Sequence, residues 1–167
     1  KRLQENIALN NLPQITTFTC ALSDHDGCAS FSIARGAGEN TLADSFAYTD
    51  TGLTERVTVQ LRTLDNIAKE QALKHLRLIK IDVEGAELHV LRGAKNILTE
   101  LRPAVLFEVF PAALLRMQTT VADMDAFLRA ANYTLYTIDT QTAQWQTIAN
   151  LHGIHHCTNI LALPHQA

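Results

Sequence analysis

Leu78-Ile79-Lys80-Ile81-Asp82-Val83-Glu84-Gly85-Ala86-Glu87 reads as a short apolar strand that ends in a burst of carboxylates and turns at a glycine into a helix. In open α/β sheets, chemistry gathers at the carboxyl ends of parallel strands. Loops form a crevice there, and the following helices point their N-termini into it. Asp82 and Glu84 sit where a substrate-facing pair would sit. Side chains alternate between faces along a strand, so Ile79, Ile81 and Val83 share one face and Leu78, Lys80 and Asp82 the other. A lysine in a buried strand needs an anionic partner, and Asp82 is the nearest. These residues alone fit a plain ion pair that orients a loop and a functional pair equally well.

Outward from this stretch, strand and helix signals alternate. Upstream, Arg2–Asn10 fits a helix that stops before Pro13. Ile15–Ser23 and Cys28–Ile33 read as strands joined by an Asp26-Gly27 hairpin turn. Ala34–Thr54 is a long polar, small-residue stretch. Val57–Leu61 alternates as a strand, and Leu64–His75 reads as a helix capped by Thr63. Downstream, Gly85–Leu101 is helical, with Leu88, Leu91, Leu98 and Leu101 on one side and Gly93 as a break. Val105–Val109 is a second buried strand carrying Glu108, and Pro111 opens a short helix. Thr120 with Asp123 marks another helix start, with Asn132 as its C-terminal cap. Leu135–Asp139, Trp145–Ile148 and Thr158–Leu163 read as strands. This alternation predicts a single α/β layered domain over residues 1–167.

Composition narrows the function classes. Hydrophobic residues make up 47% of 167 residues, enough for a core, and the net charge of −3 argues against a basic nucleic-acid surface. Aromatics are few, so no stacking platform for single strands is visible. No apolar run approaches a membrane span. Cys20, Cys28 and Cys157 form an odd set without a paired motif. They read as reduced small hydrophobes in a cytoplasmic protein, with Cys20 and Cys28 on adjacent strands.

The run Lys80–Glu87 is followed by Val90-Leu91-Arg92-Gly93-Ala94, Arg102-Pro103 and Phe107-Glu108. Together they resemble the signature of the FkbM-type methyltransferase family. The match is ordered and ungapped over Lys80–Ala94. Weaker echoes at Asn6–Asn10, Ala21–Asp24 with Gly27, Thr63-Leu64-Asp65 and Asn159–Ala162 fall in family order. The resemblance implies a class I, Rossmann-like methyltransferase sandwich with a mixed, mostly parallel sheet. It implies S-adenosyl-L-methionine as cofactor and a hydroxyl oxygen of a small molecule or glycan as acceptor. Such enzymes open with a strand, a glycine-rich turn, a helix and a second strand, none of which precedes Lys1 here. On this reading the chain is an N-terminally truncated fragment lacking roughly 30 or more residues, about one strand–helix–strand unit, and it binds cofactor negligibly alone.

Within that frame, Glu84 is the first candidate for the base and Glu108 the second. Asp82 would hold the cofactor's methyl end or the acceptor, and Lys80 would keep Asp82 ionised and oriented. Adenine maps onto Ala21, Leu22 and Ser23, which ordinary strand packing explains nearly as well. Asp24 reads as turn chemistry. His152-Gly153-Ile154-His155-His156 reads as a solvated loop, because zinc ligands come at other spacings, and no metal is assigned. Gly36–Phe46 would be a lid by analogy, with Gly36-Ala37-Gly38 its flexible part. Two rivals stand beside the methyltransferase: a non-catalytic piece, either a remnant or a half that binds a partner chain supplying the missing unit, and a nicotinamide-dependent oxidoreductase. The latter needs a dinucleotide fingerprint that residues 1–167 do not contain.

Overall fold

The computed structural model describes residues 2–34, 53–139 and 141–165. The expected long loop Ala34–Thr54, including Gly36-Ala37-Gly38 and the lid at Gly36–Phe46, lies outside those residues except at its two ends. After helix α1 (Arg2–Leu9) the described strands form two sheets. One holds β1 (Ala21–Leu22), β3 (Leu53–Arg62) and β2 (Gly27–Ala34) in the order β1-β3-β2. The other runs β4-β5-β8-β6-β7: β4 (Leu78–Ile81), β5 (Ala104–Val109), β8 (Thr158–Pro164), β6 (Tyr133–Ile138) and β7 (Trp145–Ile148). The α/β class holds. Among the described residues, however, β1·β3 and β4·β5 are the parallel pairs and the other four ladders are antiparallel. The sheet content is mixed rather than mostly parallel.

The helices follow their sequence signals. Helix α2 (Leu64–Glu70) starts at Thr63, whose hydroxyl accepts from the Asn66 amide at 3.2 Å. It stops short of His75 because Ala72 turns left-handed, at φ 48°, and the Leu73 amide returns to the Ala68 carbonyl. Helices α3 (Glu87–Arg92) and α4 (Lys95–Glu100) are the two halves expected on either side of Gly93. Pro111 opens α5 (Pro111–Arg116), and Thr120 with Asp123 forms a reciprocal capping box on α6 (Val121–Ala130). Asn132, at φ 60°, ends α6 as a left-handed residue.

The core collects against the five-stranded sheet. Strand β5 buries Val105, Phe107 and Val109 completely, one face of a period-two pattern. Leu88, Leu91 and Leu98 from α3 and α4, Leu114 from α5, and Met124 and Leu128 from α6 join the same cluster. No helix among the described residues is long and apolar enough to cross a membrane.

Three expectations change around the smaller sheet. The Ile15–Ser23 strand shrinks to Ala21–Leu22, which alone pair with Leu61 and Arg62 of β3, while Ile15 and Phe18 stay exposed. The Asp26-Gly27 hairpin does not form. Strand β3 lies between β1 and β2, and Gly27 pairs opposite Leu61. Asp26 is taken up elsewhere: its carboxylate accepts from the Thr63 amide at 2.7 Å and the Asn66 side chain at 2.9 Å. Those partners lie about forty residues away, so local turn chemistry could not reveal them. For the same reason Cys20 and Cys28 are not on adjacent strands. All three cysteines are free, and Cys28 and Cys157 are exposed rather than core residues.

A tight junction joins the two sheets. The Asp65 amide donates to the Gly93 carbonyl at 2.9 Å. The Asp65 carboxylate accepts from the Asn96 and Ile97 amides at 2.9 and 3.0 Å. These are donors that the start of α4 cannot satisfy itself, because its own N-cap residue is Ala94. A methyl group on Gly93 would fall inside the Ser23 carbonyl oxygen. Backbone here meets backbone. Gly93→Ala is therefore expected to cost about 1–3 kcal/mol in denaturant unfolding. Gly153→Ala, where an added methyl meets no atom within 4 Å, should stay within about 0.5 kcal/mol.

Candidate active site

Past Ile81 the chain leaves the β4 ladder and makes a turn with two successive left-handed residues. Glu84 has φ 54° and Gly85 φ 105°. Only glycine fits at 85, since a methyl there would overlap the Ala113 carbonyl of α5. Glu84 has no such freedom, and a bulky residue in this conformation carries strain of order 1–3 kcal/mol. The turn is held from inside. Glu87, only 2% exposed, accepts from the Val83 amide at 3.2 Å and the Gly85 amide at 3.3 Å through one carboxylate oxygen. Burial raises the Glu87 carboxyl above its ordinary value, and its bonds from backbone amides, Val83 and Gly85 included, oppose that rise.

The turn opens onto a cleft of about 940 Å³ between the two sheets. Asp82, Val83, Glu84 and Ala86 form one wall; Thr19–Leu22, Phe31 and Thr58–Gln60 form the other, with Leu3 and Phe18 beside them. Burial raises the Glu84 carboxyl, and the nearby carboxylates of Glu108, Asp82 and Glu87 raise it further against an opposing pull from Arg116. A carboxylate in that state holds a proton more readily than an ordinary glutamate.

The structure brings together some of the residues singled out from the sequence and separates others. Asp82, Glu84, Ala21 and Leu22 share the cleft. Glu108 is half-buried on β5, close enough to act on Glu84 but outside the lining. Its carboxylate accepts from the Cys157 thiol, whose pKa is pushed up to about 11 by that bond and by burial. Ser23 is buried and outside the lining, its hydroxyl turned to Asp24 at 3.3 Å. Lys80 does reach Asp82, at 3.0 Å, and the face alternation is as expected, with Ile81 buried and Leu78 exposed. The pair is not buried, however. Strand β4 is a sheet edge, and the two side chains are 43% and 57% exposed.

Asp24 does more than turn chemistry. It accepts from His25 Nδ1 at 2.7 Å and meets His89 Nδ1 at 3.1 Å, while His89 Nε2 reaches the Met117 carbonyl at 3.2 Å. The end of β1 is thereby tied to α3 and to the segment after α5. Burial alone would raise the Asp24 carboxyl, but the bonds to His25, His89 and Ser23 hold it down at about 2. His152, His155 and His156 are exposed, and among the described residues no three His, Cys, Asp or Glu are placed to hold a metal ion.

A sequence profile described as the methyltransferase FkbM domain matches residues 2–135. The chain belongs to the FkbM methyltransferase family. It is also 32% identical over 112 residues to the 2-O-methyltransferase NoeI of Sinorhizobium fredii (strain NBRC 101917 / NGR234). That alignment covers 60% of this chain and 45% of the relative, so the chain spans less than half of that relative's length. No solved structure matches.

Sequence reasoning missed several residues that hold the backbone around the cleft. Glu87 stood inside the quoted motif without a role; its signal was an acid directly before the buried Leu88. His89 carried no local signal and Asp65 appeared only within the echo Thr63-Leu64-Asp65, because their partners lie 65 and about 30 residues away.

Two measurements check this electrostatic picture. The Lys80–Asp82 coupling in a double-mutant cycle should fall below about 1 kcal/mol, the range of exposed pairs, instead of the several kcal/mol of a buried one. Asp24→Asn should destabilise the chain at neutral pH. A depressed folded-state pKa gives stability that is present above the unfolded value near 3.9 and lost as pH falls toward 2. The gap between wild type and variant in denaturant unfolding should therefore close between about pH 5 and pH 2.

Proposed function

We propose that this chain carries the acceptor-side half of an S-adenosylmethionine-dependent O-methyltransferase of the class I, Rossmann-like fold. The observation that supports this most is Glu84. It stands on a strained turn at the carboxyl end of β4, with a raised carboxyl, facing Ala21 and Leu22 across the cleft. A volume of about 940 Å³ suits a nucleoside-sized ligand together with part of an acceptor. The donor set also fits such a cofactor. Ala21 and Leu22 offer apolar surface for an adenine, and the acidic wall of Asp82 and Glu84 complements a cationic sulfonium. When bound, that cofactor supplies an electrophilic methyl group.

The residues of the chain supply the rest. A neutral hydroxyl is a weak nucleophile and must lose its proton as it attacks. Glu84 takes that proton, with Glu108 as second candidate. Asp82 holds the acceptor or the methyl end of the cofactor so that oxygen, carbon and sulfur lie in line. Lys80 keeps Asp82 in place. The acceptor class is a hydroxyl of a small molecule or glycan, which the printed name of the relative, a 2-O-methyltransferase, supports.

In this reading the two sheets are the flanks of one larger sheet. Among the described residues, strands β1 and β4 each end their sheet, and Ala21 and Leu22 of β1 and the turn after β4 line the cleft. A strand–helix–strand unit of the same polypeptide would fit between them, and the 45% coverage of the relative is in keeping with that. Residues 1–167 then form parts of one domain. Strand β8, beyond the matched residues, lies between β5 and β6 and is needed to join them.

The experiment is methyl transfer by the full-length protein, with calorimetry against S-adenosylmethionine. Glu84→Gln should lower turnover by about 10²-fold or more, the usual worth of a positioned base, while cofactor affinity changes little. Asp82→Ala should weaken binding as well as turnover. Unchanged turnover in Glu84→Gln removes Glu84 as the base.

A further inference from the structure

We propose that Glu87 is a positioning residue, whose buried carboxylate clamps the backbone on both sides of Glu84 and so fixes the turn that presents Glu84 to the cleft. This rests on the reading of Glu84 as the base. One oxygen of Glu87 accepts from the Val83 amide at 3.2 Å and from the Gly85 amide at 3.3 Å. Those amides belong to the residues immediately before and after Glu84, so a single atom fastens both neighbours of the strained residue. A left-handed glutamate persists only where its surroundings over-determine it. The overlap that forbids a side chain at Gly85, the clamp from Glu87 and the bond from the Ala86 amide to the Val83 carbonyl at 3.3 Å are constraints that do so.

A capping role alone does not account for the choice of glutamate. Its carboxylate does also meet its own backbone amide. But a charged group only 2% exposed, beside Ala86 and Leu88 and in none of the salt bridges among the described residues, is an expensive cap. Glutamine offers the same accepting oxygen without the charge. What glutamate adds is a negative charge next to Glu84. The charged groups acting on Glu84 are Asp82 from the end of β4, Glu108 from β5, Glu87 from α3 and Arg116 from α5. Burial is the largest influence, and Glu87 is one of three carboxylates that add to it. Glu87 therefore has two separable effects: its oxygen holds the turn, and its charge makes Glu84 a stronger base.

Two variants of the full chain separate them. Glu87→Gln keeps the oxygen and removes the charge; Glu87→Leu removes both. The readouts are hydrogen exchange at the Val83 and Gly85 amides, carbon-detected titration of the Glu84 carboxyl, and the pH profile of turnover. In Glu87→Leu, both amides should lose protection and kcat should fall by more than about tenfold, the scale of a misplaced catalytic group, with less change in KM. Glu87→Gln should restore protection and most of kcat. It should also move the Glu84 titration, and with it the acid limb of the profile, to lower pH. Retained protection in Glu87→Leu, or lost protection with wild-type kcat and acid limb, overturns the proposal. Where Glu87→Leu does not fold, an unmoved Glu84 midpoint in Glu87→Gln overturns it. Failure of the base reading itself is seen on a different variant, as full activity in Glu84→Gln.

Discussion

A carboxylate from one half of the molecule closes a helix that belongs to the other. Asp65, in the first turn of α2, satisfies the two amides at the start of α4 that Ala94 cannot reach, and its own amide binds the Gly93 carbonyl. Helix α2 follows directly from β3, so this contact carries the three-stranded sheet against the helices that cover the five-stranded one. The close approach of Gly93 to Ser23 and the Asp24–His89 bond act at the same junction. Both walls of the cleft take their relative position from these few contacts.

Within that frame the turn after β4 is built at a local cost. Two left-handed residues in succession, one of them glutamate, and a buried acid are each unfavourable by themselves. They are tolerated because they satisfy one another: the strained backbone directs its amides inward, and the buried acid accepts them. The same inward arrangement leaves Glu84 half-exposed at the cleft and partly shielded from water, next to other carboxylates. Its raised proton affinity follows from where the backbone places it, with burial first and neighbouring charge second.

Much of this was legible in the sequence because the signals were local. The period-two pattern of β5, the proline at the start of α5, the Thr120–Asp123 box and the break at Gly93 all act over a few residues. The motif Lys80–Glu87 located the turn and its outward acids. What escaped was long-range. Asp26-Gly27 has the composition of a hairpin turn, yet the Asp26 carboxylate is drawn to the start of α2, and β3 takes the place that β1 would have held beside β2. Lys80 looked buried because its strand looked central; an edge position leaves the lysine in water and the ion pair weak. Glu87 was visible as a letter of the motif but not as a clamp, since alternation and periodicity do not show which way a turn aims its amides.

The edge position of β4 has one more consequence. A strand with one open side is a template for pairing with another chain. Strand β4 is only four residues long, and its middle carries Lys80, with Asp82 immediately beyond. Any second copy laid along that edge would have to bring like charges together or strip both ions of water. The pair that adds little to folding thus disfavours the pairing of two copies along β4 wherever that edge is open.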